Sequence, residues 1–103
     1  MARVAMVDAG AEFIADGPVS VVIRAFHTCP KGDRRKTKPA PLRWRAKKPD
    51  LENVGKAVLD AATGVLWRDD AQVARLVIEQ YTAAQDEAPR VEIVYVGMPE
   101  LAA

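Results

Sequence analysis

Three β-rich runs around one amphipathic helix predict a small mixed α/β domain, in which a mixed β-sheet carries a principal helix at about residues 51–63. Apolar residues follow the strand period of two within 19–26, 71–81 and 90–96, and the helical period only within 51–63. The chain has 103 residues, half of them apolar, which suits one domain, 1–103, with a modest core. A domain this small is biased toward self-association.

The elements follow in order. Residues 1–17 scatter Val4, Met6, Val7, Phe13 and Ile14 among small and acidic residues, so a short helix or an irregular arm is expected, closed by Asp16-Gly17. Pro18 then opens a strand over 19–26, with Val19, Val21, Ile23 and Ala25 on one face. Residues 28–49 hold Pro30, Pro39, Pro41 and Pro49 among cations, which predicts a long loop; loops of that length inside a compact domain are often functional. Asp50 is placed to cap the helix, its carboxylate accepting free amide protons of the first turn. Leu51, Val54, Val58, Ala61 and Ala62 form the apolar stripe, and Gly64 ends the helix. Gly55 inside it is unfavourable by about 1 kcal/mol against alanine and reads as a point of close approach by another backbone. A connection over 65–70 leads to the run 71–81, where Ala74, Leu76 and Ile78 alternate with Arg75, Val77 and Glu79. A polar turn at Gln85-Asp86-Glu87 precedes the last run, 90–96, and the last two strands are expected to pair as a hairpin.

The net charge of +1 hides a sharp division. Segment 31–48 carries nine basic residues, Lys31, Arg34, Arg35, Lys36, Lys38, Arg43, Arg45, Lys47 and Lys48, against Asp33 alone, a net of +8. The remainder, six basic and thirteen acidic residues, has a net of −7. Phosphates respond to the local patch rather than the total. Trp44 lies between Arg43 and Arg45, where an aromatic side chain can stack on an exposed base while its neighbours bind phosphate. The competing reading is a solvated charge run.

Several chemistries are excluded or poorly supported. Cys29 is the only cysteine, so neither an internal disulfide nor a cysteine-based zinc site is possible. His27 is the only histidine and reads as structural. No apolar stretch approaches membrane-spanning length and no secretory layout opens the chain, so a cytoplasmic protein without membrane contact is expected.

The informative acids are Asp50 and Glu52 at the helix start, with Asn53 beside them, then Lys56 and Asp60, and Asp69-Asp70 before the next strand. If that strand returns along the helix, the second acidic pair can meet the first. Converging carboxylates repel unless a cation intervenes, and all-oxygen ligands suit Mg²⁺. Lys56 would neutralise phosphate charge or hold a carboxylate. The bland alternatives are a helix cap at Asp50, an ion-paired solvated face at Glu52, Lys56 and Asp60, and a turn at Asp69-Asp70.

At these residues the chain resembles the RusA-like family of Holliday-junction resolvases. The matching text is Lys48-Pro49-Asp50-Leu51-Glu52-Asn53, Lys56-Ala57-Val58-Leu59-Asp60-Ala61, Asp69-Asp70-Ala71-Gln72-Val73 and Pro89-Arg90-Val91-Glu92-Ile93. The resemblance implies a homodimeric endonuclease of recombination and repair, often carried by phages and prophages, that resolves four-way or branched DNA by paired nicks with Mg²⁺ or Mn²⁺. Carried over by motif, it implies Asp50, Glu52 and Asp70 as metal ligands, Lys56 as the catalytic lysine, and supporting roles for Asn53, Asp60 and Asp69. The chain departs from the family pattern in two places. Glu52 stands where aspartate is usual, and residues 1–17 are short for the strand, loop and helix that usually precede the first matching strand. Those departures keep two other expectations open: a truncated or catalytically impaired prophage relative that binds branched DNA without cutting, and a dimeric interaction module.

Overall fold

The computed structural model describes residues 3–4, 12–99 and 101. Its elements in chain order are β1 (Arg3–Val4), β2 (Val19–His27), β3 (Arg43–Trp44), α1 (Leu51–Ala62), β4 (Val73–Thr82) and β5 (Arg90–Gly97). Short 3₁₀ turns lie at Lys31–Asp33 and Asp70–Gln72. The predicted mixed α/β class holds: the strands form one mixed sheet in the order β1-β5-β2-β4-β3, with α1 packed on it.

The central pairing is parallel, β2 beside β4, with Val21 opposite Leu76 and Ile23 opposite Ile78. A parallel pair needs a long crossover, and residues 28–72 supply it through the basic loop, β3 and α1. The expected hairpin between the last two strands does not form. β5 runs antiparallel to β2, so β2 separates β4 from β5. Once β4 is taken up parallel to β2, the turn after it must carry the chain across β2 to the other side.

Strand alternation sets the two faces. Val19, Val21, Ile23 and Ala25 of β2 are fully or almost fully buried, and Val91 and Ile93 of β5 join them. From above, α1 contributes Val58 and Ala62, with Val54 and Leu59 partly buried around them. Leu51 and Ala61, expected in the helical stripe, remain exposed. A twelve-residue helix is marginal alone, so this docking holds α1 in place. Trp67, fully buried, closes the end of the core and meets Tyr95 edge-on at 5.9 Å. Among the described residues no helix covers the opposite face of the sheet, and no helix is long and apolar enough to cross a membrane.

Local expectations divide. Gly64 has φ of +85°, the left-handed geometry that ends a helix, and its amide donates to the Trp67 carbonyl at 2.6 Å. Asp50 occupies the N-cap position, but its side chain makes no capping hydrogen bond; only its carbonyl receives the Val54 amide, at 3.1 Å. Segment 28–49 is not all loop, since Arg43–Trp44 pairs with Thr82 and Tyr81 at the sheet edge. Within 1–17, Arg3–Val4 forms a parallel edge strand with Arg90 and Val91, and Ile14 binds the Leu66 carbonyl through its amide; residues 1–2 and 5–11 lie outside the described residues.

Gly55 does permit a close approach, by a side chain rather than a backbone. A Cβ there would collide with Ile78 Cδ1, while Ile78 Cγ1 would sit at an ordinary 3.5 Å. Gly55→Ala is therefore expected to leave stability nearly unchanged. The gain of about 1 kcal/mol from helix propensity is offset by forcing Ile78 off its rotamer, at about 0.5–1.5 kcal/mol. In an Ile78→Val background, which lacks Cδ1, the same substitution should stabilise by about 1 kcal/mol. Chemical denaturation of the four proteins checks this; equal effects in both backgrounds would show that the contact does not limit the position.

Candidate active site

Glu52, Lys56 and Asp60 recur every four residues, which puts them on one side of α1. β4 runs beside that side, and Asp70 stands just before β4. Glu52, Lys56, Asp60 and Asp70 line one groove of about 340 Å³, floored by Gly55, Leu59, Leu76 and Ile78. Among the described residues, none of the four is engaged in an ion pair, with each other or elsewhere.

The adjacent aspartates divide their tasks. Asp69 caps the 3₁₀ turn: its carboxylate accepts the Ala71 amide at 2.9 Å, and its own amide donates to Gln72 Oε1 at 2.8 Å. Gln72 also donates to the carbonyls of Ile14 and Gly17, at 3.1 Å each, which ties the N-terminal arm to this turn. Asp70 is left to face the groove. Asp50 lies apart, in a separate groove of about 610 Å³ lined with Arg45, Lys47, Lys48, Leu51 and Gln80, its carboxylate 3.9 Å from Lys48 Nζ. Among the described residues no three acidic, histidine or cysteine side chains are arranged to hold a metal ion. Asn53 is exposed on α1.

The basic loop lies at the start of the same helix and is held rather than loose. Gln85, in the turn after β4, acts as its clasp. Its Oε1 accepts the amides of Arg35 and Ala40 at 2.8 and 3.0 Å, its Nε2 donates to the Arg35 carbonyl at 2.9 Å, and its amide donates to the Ala40 carbonyl at 2.9 Å. Arg34 adds a bond to the Gln85 carbonyl at 3.1 Å. Arg43 turns inward, bonding Asp33, the Pro41 carbonyl and Cys29 Sγ. Those partners, Cys29 first and Asp33 second, hold its guanidinium above its ordinary pKa. Arg45 Nη2 donates to the Lys48 carbonyl at 2.8 Å. Lys31, Arg35, Lys36, Lys38 and Lys47 have no ion-pair partner among the described residues, and Lys48 reaches only Asp50.

A sequence profile for the endodeoxyribonuclease RusA matches residues 1–94, nearly the whole chain. The chain belongs to the RusA family. It is also 33% identical over 88 residues to the Bacillus subtilis (strain 168) protein described as "Uncharacterized protein YqaN". That alignment takes in 81% of this chain and 60% of the relative, so the chain spans about three fifths of the relative's length. No solved structure matches the chain. RusA is a family of endodeoxyribonucleases that resolve Holliday junctions, which gives the acidic groove and the basic loop a common context.

In this RusA-family chain the donor chemistry fits a hard divalent cation. Glu52 and Asp70 offer carboxylate oxygens to one groove, with no thiol or imidazole beside them. Mg²⁺ is commonly held by one or two carboxylates, waters and substrate phosphates, so two acids lining one groove are compatible in donor type with such an ion. Two residues that organise the site escape a reading of the sequence. Gln85 looks like an ordinary turn residue. Gln80 accepts from His27 Nε2 at 2.7 Å and donates to the Pro49 carbonyl at 3.0 Å, fixing the chain just before α1. An uncharged amide within the β-rich run was the only sequence signal for Gln80, whose burial the fold alone reveals; Gln85 offered none.

Proposed function

We propose that this chain is a Mg²⁺-dependent, structure-selective endonuclease that resolves four-way DNA junctions by paired nicks, acting as a homodimer. One observation carries the reading: an unpaired acid–lysine groove stands beside a clasped basic loop of net +8. Lys31, Arg34, Arg35, Lys36, Lys38, Arg45, Lys47 and Lys48 draw in the phosphate backbone, and the loop's position at the start of α1 delivers it toward the acids. Glu52 and Asp70 would hold the cation, Mg²⁺ or Mn²⁺; Asp50, in its separate groove beside Lys48, would join them only if DNA or a partner subunit drew the helix start toward the site. When bound there, a divalent cation would supply charge neutralisation for the phosphodiester and a more acidic attacking water. Lys56, one turn from Glu52, places its ammonium against the negative charge that builds on phosphorus oxygens. Asp60 and Asp69 support the groove and its capping turn.

Paired nicks need two equivalent sites, which two-fold symmetry provides. The helix-free face of the sheet supports such an interface, because Val94 and Val96 are exposed there beside Val22 and Val77. Incubating purified protein with an end-labelled four-way junction, with and without Mg²⁺, tests the activity. Nicked strands only with Mg²⁺ are expected. The alternative, a protein that binds branched DNA without cutting it, is favoured by the lack of a three-carboxylate cluster among the described residues. Binding without nicking under both conditions would establish that alternative.

A further inference from the structure

Three neighbouring strands each place one aromatic residue in register on the helix-free face. Phe26 of β2 is the pairing partner of Tyr81 in β4, and Tyr81 is the partner of Trp44 in β3. Strands in a sheet lie about 4.8 Å apart, and the rings inherit that spacing. Phe26 and Tyr81 stack with centroids 5.0 Å apart and planes 12° apart; Tyr81 and Trp44 stack at 4.7 Å and 20°. On the inner side, Arg90 of β5, the register partner of Phe26, sets its guanidinium 3.8 Å from that ring's centroid. The ladder therefore runs from a cation through three rings to the sheet edge.

Tyr81 is fixed in this stack. Its hydroxyl donates to Glu79 at 3.0 Å, and Glu79 accepts from Arg24 at 2.9 Å. Beyond Trp44 there is no further strand, since β3 is the edge of the sheet. Trp44 is 68% exposed, the most exposed aromatic residue among the described residues. One more flat ring would fit at the next strand spacing, against the outer face of Trp44. The residues that follow choose the occupant: Arg45, Lys47 and Lys48 turn to the other side of the edge and line the groove that holds Asp50. A strand of nucleic acid crossing the edge would meet cations for its phosphates and an indole for a base.

We infer that the outer face of Trp44 is a stacking site for one unstacked nucleobase of branched DNA, and that it makes binding selective for a branch point over a linear duplex. The inference rests on the reading of this chain as a junction-binding nuclease. An intact duplex keeps its base faces covered, whereas a branch point exposes or easily releases them. The ladder holds the indole ready for such a face before DNA arrives.

The test uses the whole chain and its own fluorescence. Trp67 is fully buried, so emission accessible to a quencher such as acrylamide is that of Trp44. A four-way junction is expected to quench this emission and shield it from acrylamide, and a linear duplex bound to the same extent is not. Trp44→Ala should weaken junction affinity by roughly 5- to 150-fold, the range supplied by base–aromatic stacking, with the salt dependence and the duplex affinity unchanged. Trp44→Phe should retain most of the affinity, and an abasic site at the branch point should lower wild-type affinity without further loss in Trp44→Ala. Junction binding with unaltered Trp44 emission overturns the stacking site and leaves the nuclease reading standing, whether or not the variants fold. Equal losses for junction and duplex overturn the selectivity. Absence of any junction binding by the wild type overturns the nuclease reading and this site together.

Discussion

Asp70→Asn is expected to reduce Mg²⁺-dependent junction cleavage by at least about 10²- to 10³-fold in kcat, the scale seen for losing one preorganised electrostatic group at a reacting centre, while junction affinity changes little. The groove position of Asp70, beside Glu52 and Lys56, motivates this, and in the proposed reading binding is left to the basic loop. Asparagine keeps the size of the side chain and one oxygen but removes the anionic charge that a hard cation requires. The neighbouring aspartate is the control. Asp69 uses its carboxylate to cap the turn, and asparagine caps about as well. Asp69→Asn should accordingly keep most of the activity. Single-turnover cleavage and equilibrium binding of both variants decide the matter. Equal losses in the two would mean that the turn, rather than the charge of Asp70, limits catalysis.

Neutralising Arg34, Arg35, Lys36 and Lys38 together should weaken junction binding and flatten its salt dependence. Each lost phosphate contact lowers the slope of log affinity against log salt by about 0.9 on duplex DNA. The drop in affinity between 50 and 200 mM salt should then shrink by roughly 3.5-fold per lost contact. Arg34 is partly engaged, bound to the Gln85 carbonyl and 4.0 Å from Asp86. Arg35, Lys36 and Lys38 have no ion-pair partner among the described residues and sit on a backbone that Gln85 pins, so about three contacts are expected to be lost. Affinity measured across that salt range checks the number. An unchanged slope would show that these side chains are solvated and touch no phosphate.

What could be read from the sequence depended on how local the cause was. Val19, Val21, Ile23 and Ala25 identify their strand because each residue's environment follows from the period of two, and all four are buried. The helix at 51–63 is legible for the same reason, and its end one residue earlier, at Ala62, is a matter of local capping. Strand pairing is not local. The hairpin expectation fails because the long crossover places β4 parallel to β2, a choice made by packing α1 against the sheet. Part of the candidate site's arrangement is legible in the same way. Helical spacing foretells the shared face of Glu52, Lys56 and Asp60, and Asp70 joins them across the groove. Asp50 sits in a separate groove beside Lys48, because the chain before α1 is held by Gln80 and Arg45 in a course that composition does not reveal. Trp44 stands out between two arginines, yet its stack on Tyr81 and Phe26 depends on register between strands distant in sequence.

The most direct measurement of the central claim uses a supercoiled plasmid that extrudes a cruciform, with the wild-type protein in the presence of Mg²⁺. A two-fold dimer that nicks two strands of like polarity within one bound complex converts the plasmid to a linear form, with ligatable nicks placed symmetrically at the cruciform base. That product, dependent on Mg²⁺ and lost in Asp70→Asn, is the predicted result. Plasmid that is bound at the cruciform yet remains supercoiled, or that stops at a single random nick, would contradict paired junction resolution.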